Sequence, residues 1–414
     1  MNAIAPIADF DDTSYDPFAQ DEAAFGDIED IHSVLAAHRA HAPVHQADLL
    51  TLLGWATDPN FGKTPQFTVL SYKEFLEVDG DAETYSIDAY ETNLGLTFGR
   101  TLSLLNPPEH TSIRRVFQKA FMPNVVAKWG DELVAPVVNA LIDRFVQRGE
   151  ADLAEEFALK YPFQIIYRQL ALPERDIATF HKLAITMTQT YGDMLRYGKE
   201  ASRKLGAYFS DMIRERRQQP GTDLVSHLVH AEVGGERIPE QVLVSFFRQL
   251  INAAGDTTYR GTGALLIALL RDPALLNRVR ENRALVATAI EEALRWDGPV
   301  TMHMRMATRE TELAGLRVPK GAIINMSNTA ANRDPAAFPD PDRYDLDRSR
   351  VRHVAFGYGG HVCVGQHLAR LEMTRALNAI LDRLPNLRLN PNKPRPRIVG
   401  AYMRTPRDIN VLFG

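Results

Sequence analysis

Hydrophobic residues along this chain recur mostly at intervals of three and four, the period of helices that bury one face, and only three short runs have strand character. These runs lie near Phe67–Leu70, near Ile323–Met326 and towards Ile409–Phe413. The pattern predicts a mainly α fold with small β-sheets. Its longest helical stretch, Pro239–Leu270, begins with proline at a helix-start position and stops before Asp272-Pro273. At about 1.5 Å per residue it spans roughly 45–50 Å, enough to cross the whole molecule. Between Asn332 and Arg348 the helical pattern breaks, because Pro335, Pro339, Pro341 and several aspartates exclude a continuous helix.

A length of 414 residues allows either several domains or one large mixed domain. No repeat, low-complexity block or Gly/Ser-rich linker divides the chain, so residues 31–414 read as one domain. Hydrophobic content of 45% and charged content of 24% describe an ordinary globule with material for a large core. The net charge of −5 carries no nucleic-acid footprint. Residues 1–30 hold many acids, no Lys or Arg and no long apolar run. They predict a loosely ordered acidic start and neither a signal peptide nor a membrane anchor. The single cysteine, Cys363, excludes an intrachain disulfide, so nothing ties the protein to an oxidising compartment and the cytoplasm is the expected location.

That cysteine stands in Phe356-Gly357-Tyr358-Gly359-Gly360-His361-Val362-Cys363-Val364-Gly365, directly before an amphipathic helix. The glycines let the backbone turn sharply and approach a flat partner closely. The following helix offers unpaired N–H groups and the positive end of its dipole. Together these favour a thiolate, the form that coordinates iron. Read alone, a lone cysteine is more often a small buried hydrophobe.

The second chemical segment is Ala253-Ala254-Gly255-Asp256-Thr257-Thr258, which sets glycine, an acid and two threonines inside the long helix. A threonine there bonds a carbonyl one turn back and loosens the ladder, and glycine weakens it further. Taken alone, it also reads as a simple kink.

Joined, the two segments resemble the cytochrome P450 family. Phe356 to Gly365 matches every specified position of its Phe-Gly-x-Gly-x-His-x-Cys-x-Gly ligand loop, and residues 253–257 resemble its oxygen-activation motif Ala/Gly-Gly-x-Asp/Glu-Thr, with Ala254 at the usual glycine site and Gly255 supplying flexibility. The resemblance implies haem b, with Cys363 as axial iron ligand and Phe356 beside the sulfur. Asp256 and Thr257 are implied to deliver protons. His110 and Arg114, one turn apart in the Pro107-Pro108 segment, together with Arg305 and His361, are implied to hold the haem propionates, while Asn106 replaces the acid often found before Pro-Pro. Glu292-x-x-Arg295 resembles the family's buried charge pair, joined from the Pro-rich segment by Arg343.

The resemblance implies a haem-thiolate monooxygenase that inserts one atom of O2 into a small, largely apolar molecule. No flavin or iron–sulfur segment is left over, so electrons are expected from a separate ferredoxin-type donor and its reductase. Arg348, Arg350 and Arg352, with Arg115 and Lys119, form the expected basic docking patch, or else an ordinary solvated charge run. Counting back along the long helix gives Gln249, Asn252 and Ala253 as pocket residues, with Thr301, Tyr402 and Met403 as further lining. The two amides suggest a substrate bearing an oxygen function. A peroxide-driven haem enzyme, a non-catalytic haem sensor and a cysteine hydrolase using Cys363 and His361 are the competing readings.

Overall fold

Where helices begin follows the capping chemistry of the chain. The computed structural model describes residues 4–17, 26–56, 59–190, 192–349 and 352–414. Asp30 accepts from the Ser33 N–H and opens α1 (Ile31–His41). Strands β1 (Val44–His45) and β2 (Gln66–Val69) precede α2 (Tyr72–Gly80) and β3 (Tyr85–Ser86). Then come α3 (Glu109–Ala120), α4 (Tyr161–Gln169), α5 (Ile177–Thr186) and α6 (Leu195–Gln218). The long pattern becomes α7 (Glu240–Arg271), entered from Pro239 as its spacing predicts. It is followed by α8 (Leu285–Trp296), β4 (Met302–Ala307) and β5 (Ile323–Ser327). The chain closes with α9 (Gln366–Arg383), β6 (Arg397–Val399), β7 (Thr405–Arg407) and β8 (Asn410–Leu412).

Helix α7 is the axis of the molecule. Its first half packs into an apolar cluster with α5 and α6, through Phe180, Leu205, Phe209 and Phe247. Its second half joins a cluster with α8 and α9, through Leu265, Leu269, Ala293 and Ile380. A helix buried on nearly every side cannot rotate or fray, so the side chains at its midpoint are held firmly between the two clusters. One sheet, in the order β1-β2-β5-β4-β3, closes the flank. Strand β5 runs parallel to β2 and antiparallel to β4, with Ile324 opposite Arg305.

The three strand runs of the sequence appear as β2, β5 and β8. Strands β1 and β3 are two residues each, too short for a periodic signal. The acidic start differs from expectation along its described part. Ile7 and Phe10 are buried, Lys204 Nζ lies 2.8 Å from Asp11 Oδ1, and Lys182 Nζ lies 2.8 Å from Asp9 Oδ2. The acids that suggested a solvated tail instead meet cations on α5 and α6, which lets the apolar residues between them dock. Among the described residues no helix is long and apolar enough to cross a membrane.

Candidate functional site

The cysteine loop is shaped by close approach to α2. Gly357 and Gly359 have φ of 72° and 64°, and a Cβ on Gly359 would stand 2.3 Å from the Asp79 carbonyl oxygen. Only glycine fits there. The Cys363 N–H donates to the Phe356 carbonyl at 2.8 Å, closing the loop and bringing the Phe356 ring beside the sulfur's backbone. Arg370, one turn into α9, lays its guanidinium 4.5 Å from that ring's centre. Cys363 is exposed, and what it faces is an interior cavity of about 370 Å³. Burial pushes its thiol above the ordinary range, against the opposing pull of the Gly365 and Gln366 N–H groups and of Arg114 and Arg370. The loop aims donors and positive charge at the sulfur, as the sequence implies, and desolvation opposes them.

The opposite wall is α7. Thr257, Ala253 and Gln249 line the cavity along one stripe, and the Thr257 hydroxyl donates to the Ala253 carbonyl at 2.9 Å. The helix nevertheless runs unbroken through this turn. Ala254 also lines the cavity. Gly255 does not supply flexibility as expected: a Cβ there would sit 2.3 Å from Phe163, so this glycine lets α4 pack against α7. Asp256 turns off the stripe. It is buried behind α7 and paired with Arg260, whose Nη2 is 2.9 Å from its Oδ1.

Four predicted pocket residues fall outside the lining. Asn252 shares the Asp256 face and donates to the Ala184 carbonyl of α5 at 3.3 Å. Its position was counted from Asp256, which itself turns away. Thr301 is fully buried, its hydroxyl 2.7 Å from the Ala401 carbonyl. Met403 pairs with Val300, and it is Val300 that lines the cavity. Extended chain alternates its side chains, so Val300 facing inward turns Thr301 outward. Tyr402 lies beside the same bridge, its carbonyl accepting from Thr301. Gln249 does line the cavity, but it is already engaged with Thr101 Oγ1 at 2.7 Å and Ser103 Oγ at 2.9 Å.

At the cation end, His110 and His361 stack with ring centres 3.9 Å apart. Burial first, then Arg114 and Arg305 nearby, lowers His110 to about 4. Burial, then the adjoining His110 and the same two arginines, lower His361 to about 2. Each ring can donate an N–H to an anion placed there. His110 Nε2 is buried without a hydrogen-bond partner. Arg114 donates to the Val362 carbonyl. Arg305 is buried and donates to the Met304 carbonyl at 2.8 Å and to Asp79.

A haem fits this donor set. Its iron takes one soft ligand, which Cys363 offers, its flat face suits the glycine loop, and its two carboxylates suit Arg114, Arg305, His361 and the orphaned His110 nitrogen.

Behind the cavity, Glu292 binds Arg295 with Oε1 2.8 Å from Nη2, as the sequence predicts. The third partner is Arg348, not Arg343. Arg348 Nε lies 3.0 Å from Glu292 Oε1, whereas the Arg343 side chain is 68% exposed and contributes only its carbonyl. Arg348 is thereby removed from the expected docking patch. Arg350 lies outside the described residues, while Arg115, Lys119 and Arg352 are exposed.

Several site residues escaped the sequence reading. Asp79 occupies the apolar face of α2 one turn after Phe75, a position that flags a buried acid. His303 is two residues before Arg305 on β4, hence on the same strand face. Glu372 lines the cavity from α9 with its carboxyl raised well above the usual range by burial.

The family model described as Cytochrome P450 matches residues 164–413. The chain is 36% identical over 325 residues to a putative cytochrome P450 133B2 of Xylella fastidiosa, covering 77% of this chain and 80% of that protein. It is 31% identical to the mycinamicin IV hydroxylase/epoxidase of Micromonospora griseorubida, over 86% of this chain and 91% of that one. The crystal structure of CYP108D1 from Novosphingobium aromaticivorans superposes with a TM-score of 0.80 at 29% identity, covering 92% of this chain and 93% of the other.

Proposed function

The chain belongs to the cytochrome P450 family, and from that premise we propose that it uses O2 and electrons from a separate protein to insert one oxygen atom into a small, largely apolar molecule. The observation that carries this reading is that Cys363, Thr257 and the four basic residues His110, Arg114, Arg305 and His361 all line one cavity. Haem held there would supply thiolate-ligated iron, at which O2 is activated. Cys363 and Phe356 would hold the iron side, and the basic residues the propionates.

The rest of the chemistry falls to this chain's own groups. Thr257 offers a hydroxyl on the wall opposite Cys363, so it can hold an oxygen atom and a water in place once it turns from the Ala253 carbonyl. Asp256, one residue back and behind the helix, supplies the acid; it delivers protons by turning from Arg260 toward Thr257. The aliphatic wall excludes bulk water, with Leu102, Leu250 and Val300 facing the same space. A peroxide-driven enzyme or a haem sensor has no use for Thr257 on this wall.

Gln249 with Ser103 makes the one amide-and-hydroxyl corner along the α7 stripe. The amide has a second N–H beyond the one bonded to Ser103, and a substrate oxygen would satisfy it. The substrate class we assign is therefore an apolar skeleton bearing an oxygen function, anchored by Gln249 without Asn252. Electrons reach the cysteine side from a ferredoxin-type donor served by a reductase, in the cytoplasm, with Arg115, Lys119 and Arg352 as the exposed cations an acidic partner meets.

The test is turnover under ¹⁸O2 with NAD(P)H, ferredoxin and reductase. One labelled oxygen in the product and one in water is expected, with a Michaelis constant for ferredoxin that rises with salt. Unlabelled product, or equal turnover with peroxide alone, contradicts the reading.

A further inference from the structure

Asp79 lies at the centre of the cation end. It is 4% exposed. One carboxylate oxygen accepts from Arg305; the other accepts the Tyr358 N–H at 2.8 Å and faces His303 Nε2 at 3.1 Å. His303 is held from behind by the Asn328 side chain at 2.9 Å. The backbone of the same residue forces glycine at position 359 of the cysteine loop. One residue thus touches the α2 end, the loop that carries the iron ligand, and the arginine that faces the propionates.

The charge count makes this contact consequential. Arg114 and Arg305 bring two positive charges to the cavity wall, which two propionates would balance. Asp79, bonded to Arg305, adds a further negative charge. A buried uncompensated charge acts over the length of a haem, because the protein interior screens it weakly.

We propose that Asp79 is a positioning residue for the haem, orienting Arg305 and the cysteine loop together and, through its fixed negative charge, disfavouring reduction of the iron. The inference rests on the haem-binding reading above. Reduction of a bound haem would add negative charge near this acid, so the ferric state would be favoured while Asp79 is ionised. Replacing the acid by its neutral isostere removes that charge and also frees Arg305 for the propionate. Both effects favour the ferrous state.

The experiment is spectroelectrochemical titration of holoprotein, one electron from the electrode per iron, on wild type, Asp79→Asn, Arg305→Gln and the double variant. Removing Asp79 is expected to shift the ferric/ferrous equilibrium about tenfold toward ferrous in the wild-type background, about 59 mV for one electron, and in the same direction by less in the Arg305→Gln background, where no guanidinium is freed. Glu74→Gln, on the same helix and bonded to Ser71, leaves the midpoint where it was. Should Asp79→Asn alone fail to fold, Arg305→Gln against the double variant gives the same comparison with the buried charge pair removed together. A midpoint unmoved within twofold by loss of Asp79 overturns the proposal, even with haem bound normally. Failure of the wild type itself to bind haem through Cys363 would overturn the reading beneath it instead.

Discussion

At the α7 wall Thr257 places its hydroxyl on a carbonyl of its own helix, while at the opposite, cationic end Asp79 alone receives a guanidinium, a backbone N–H and an imidazole. The first arrangement is local and easily exchanged: turning one side chain breaks one bond between neighbours four residues apart. The second ties together residues more than two hundred positions apart in sequence, and moving any member strands a buried charge. A cavity built this way has a fixed floor and an adaptable wall. The fixed part serves a cofactor that stays, and the adaptable part serves groups that come and go.

The rigid end should therefore break hardest. Glu292→Ala leaves Arg295 and Arg348, at 2% and 9% side-chain exposure, without their carboxylate, and denaturant unfolding should show a loss of about 3–5 kcal/mol. A loss below about 1 kcal/mol would mean that this scaffold is no stiffer than the distal wall. Asp79 supplies the next effect. Burial raises its carboxyl, but His303, Arg305 and the Tyr358 N–H more than reverse that and hold it at about 2, below the ordinary 3.8. A depressed carboxyl stabilises the fold above its unfolded pKa, and the contribution disappears as pH falls from about 4 to 2. Stability measured against Asp79→Asn should accordingly shrink by roughly 2 kcal/mol over that interval; a constant difference would contradict it.

On the adaptable side the expected effects are smaller in energy. Thr257→Ala should keep haem and fold while product formed per NAD(P)H falls about tenfold, roughly 1.4 kcal/mol, with the lost equivalents recovered as hydrogen peroxide. Unchanged coupling would remove the hydroxyl from the chemistry. Gln249→Leu should lower the preference for an oxygenated ligand over its deoxy analogue by roughly fivefold, near 1 kcal/mol, read by the ligand-induced shift of the haem spectrum. An unaltered ratio would leave the amide as a partner of Thr101 and Ser103 alone.

The same contrast decides what could be read from the chain. The ligand loop and the α7 stripe are contiguous motifs, so Cys363, Phe356, His361, Thr257 and Ala253 were legible as a set, and helix α7 began within a residue of its expected start. What failed was choice among partners brought together only by folding. Glu292 and Arg295 are three apart and were paired correctly, but Arg343 and Arg348 are both meander arginines, and no local feature distinguishes the buried one. Asn252 falls off the cavity because it lies one turn from Asp256, which itself faces away, whereas Gln249, two turns from Thr257, stays on the lining stripe. Asp79 and His303 carried local hints, a buried-face acid and a strand-face neighbour, yet their meeting depends on α2 packing against β4.

The central claim is that this cavity holds haem through Cys363. It is tested most directly by the spectrum of the reduced, carbon monoxide-bound protein. The strongly red-shifted Soret band of thiolate-ligated haem is expected in the wild type and its loss in Cys363→Ala, since the chain has no second cysteine. A wild type without that band, or a Cys363→Ala variant that retains it, would contradict the account.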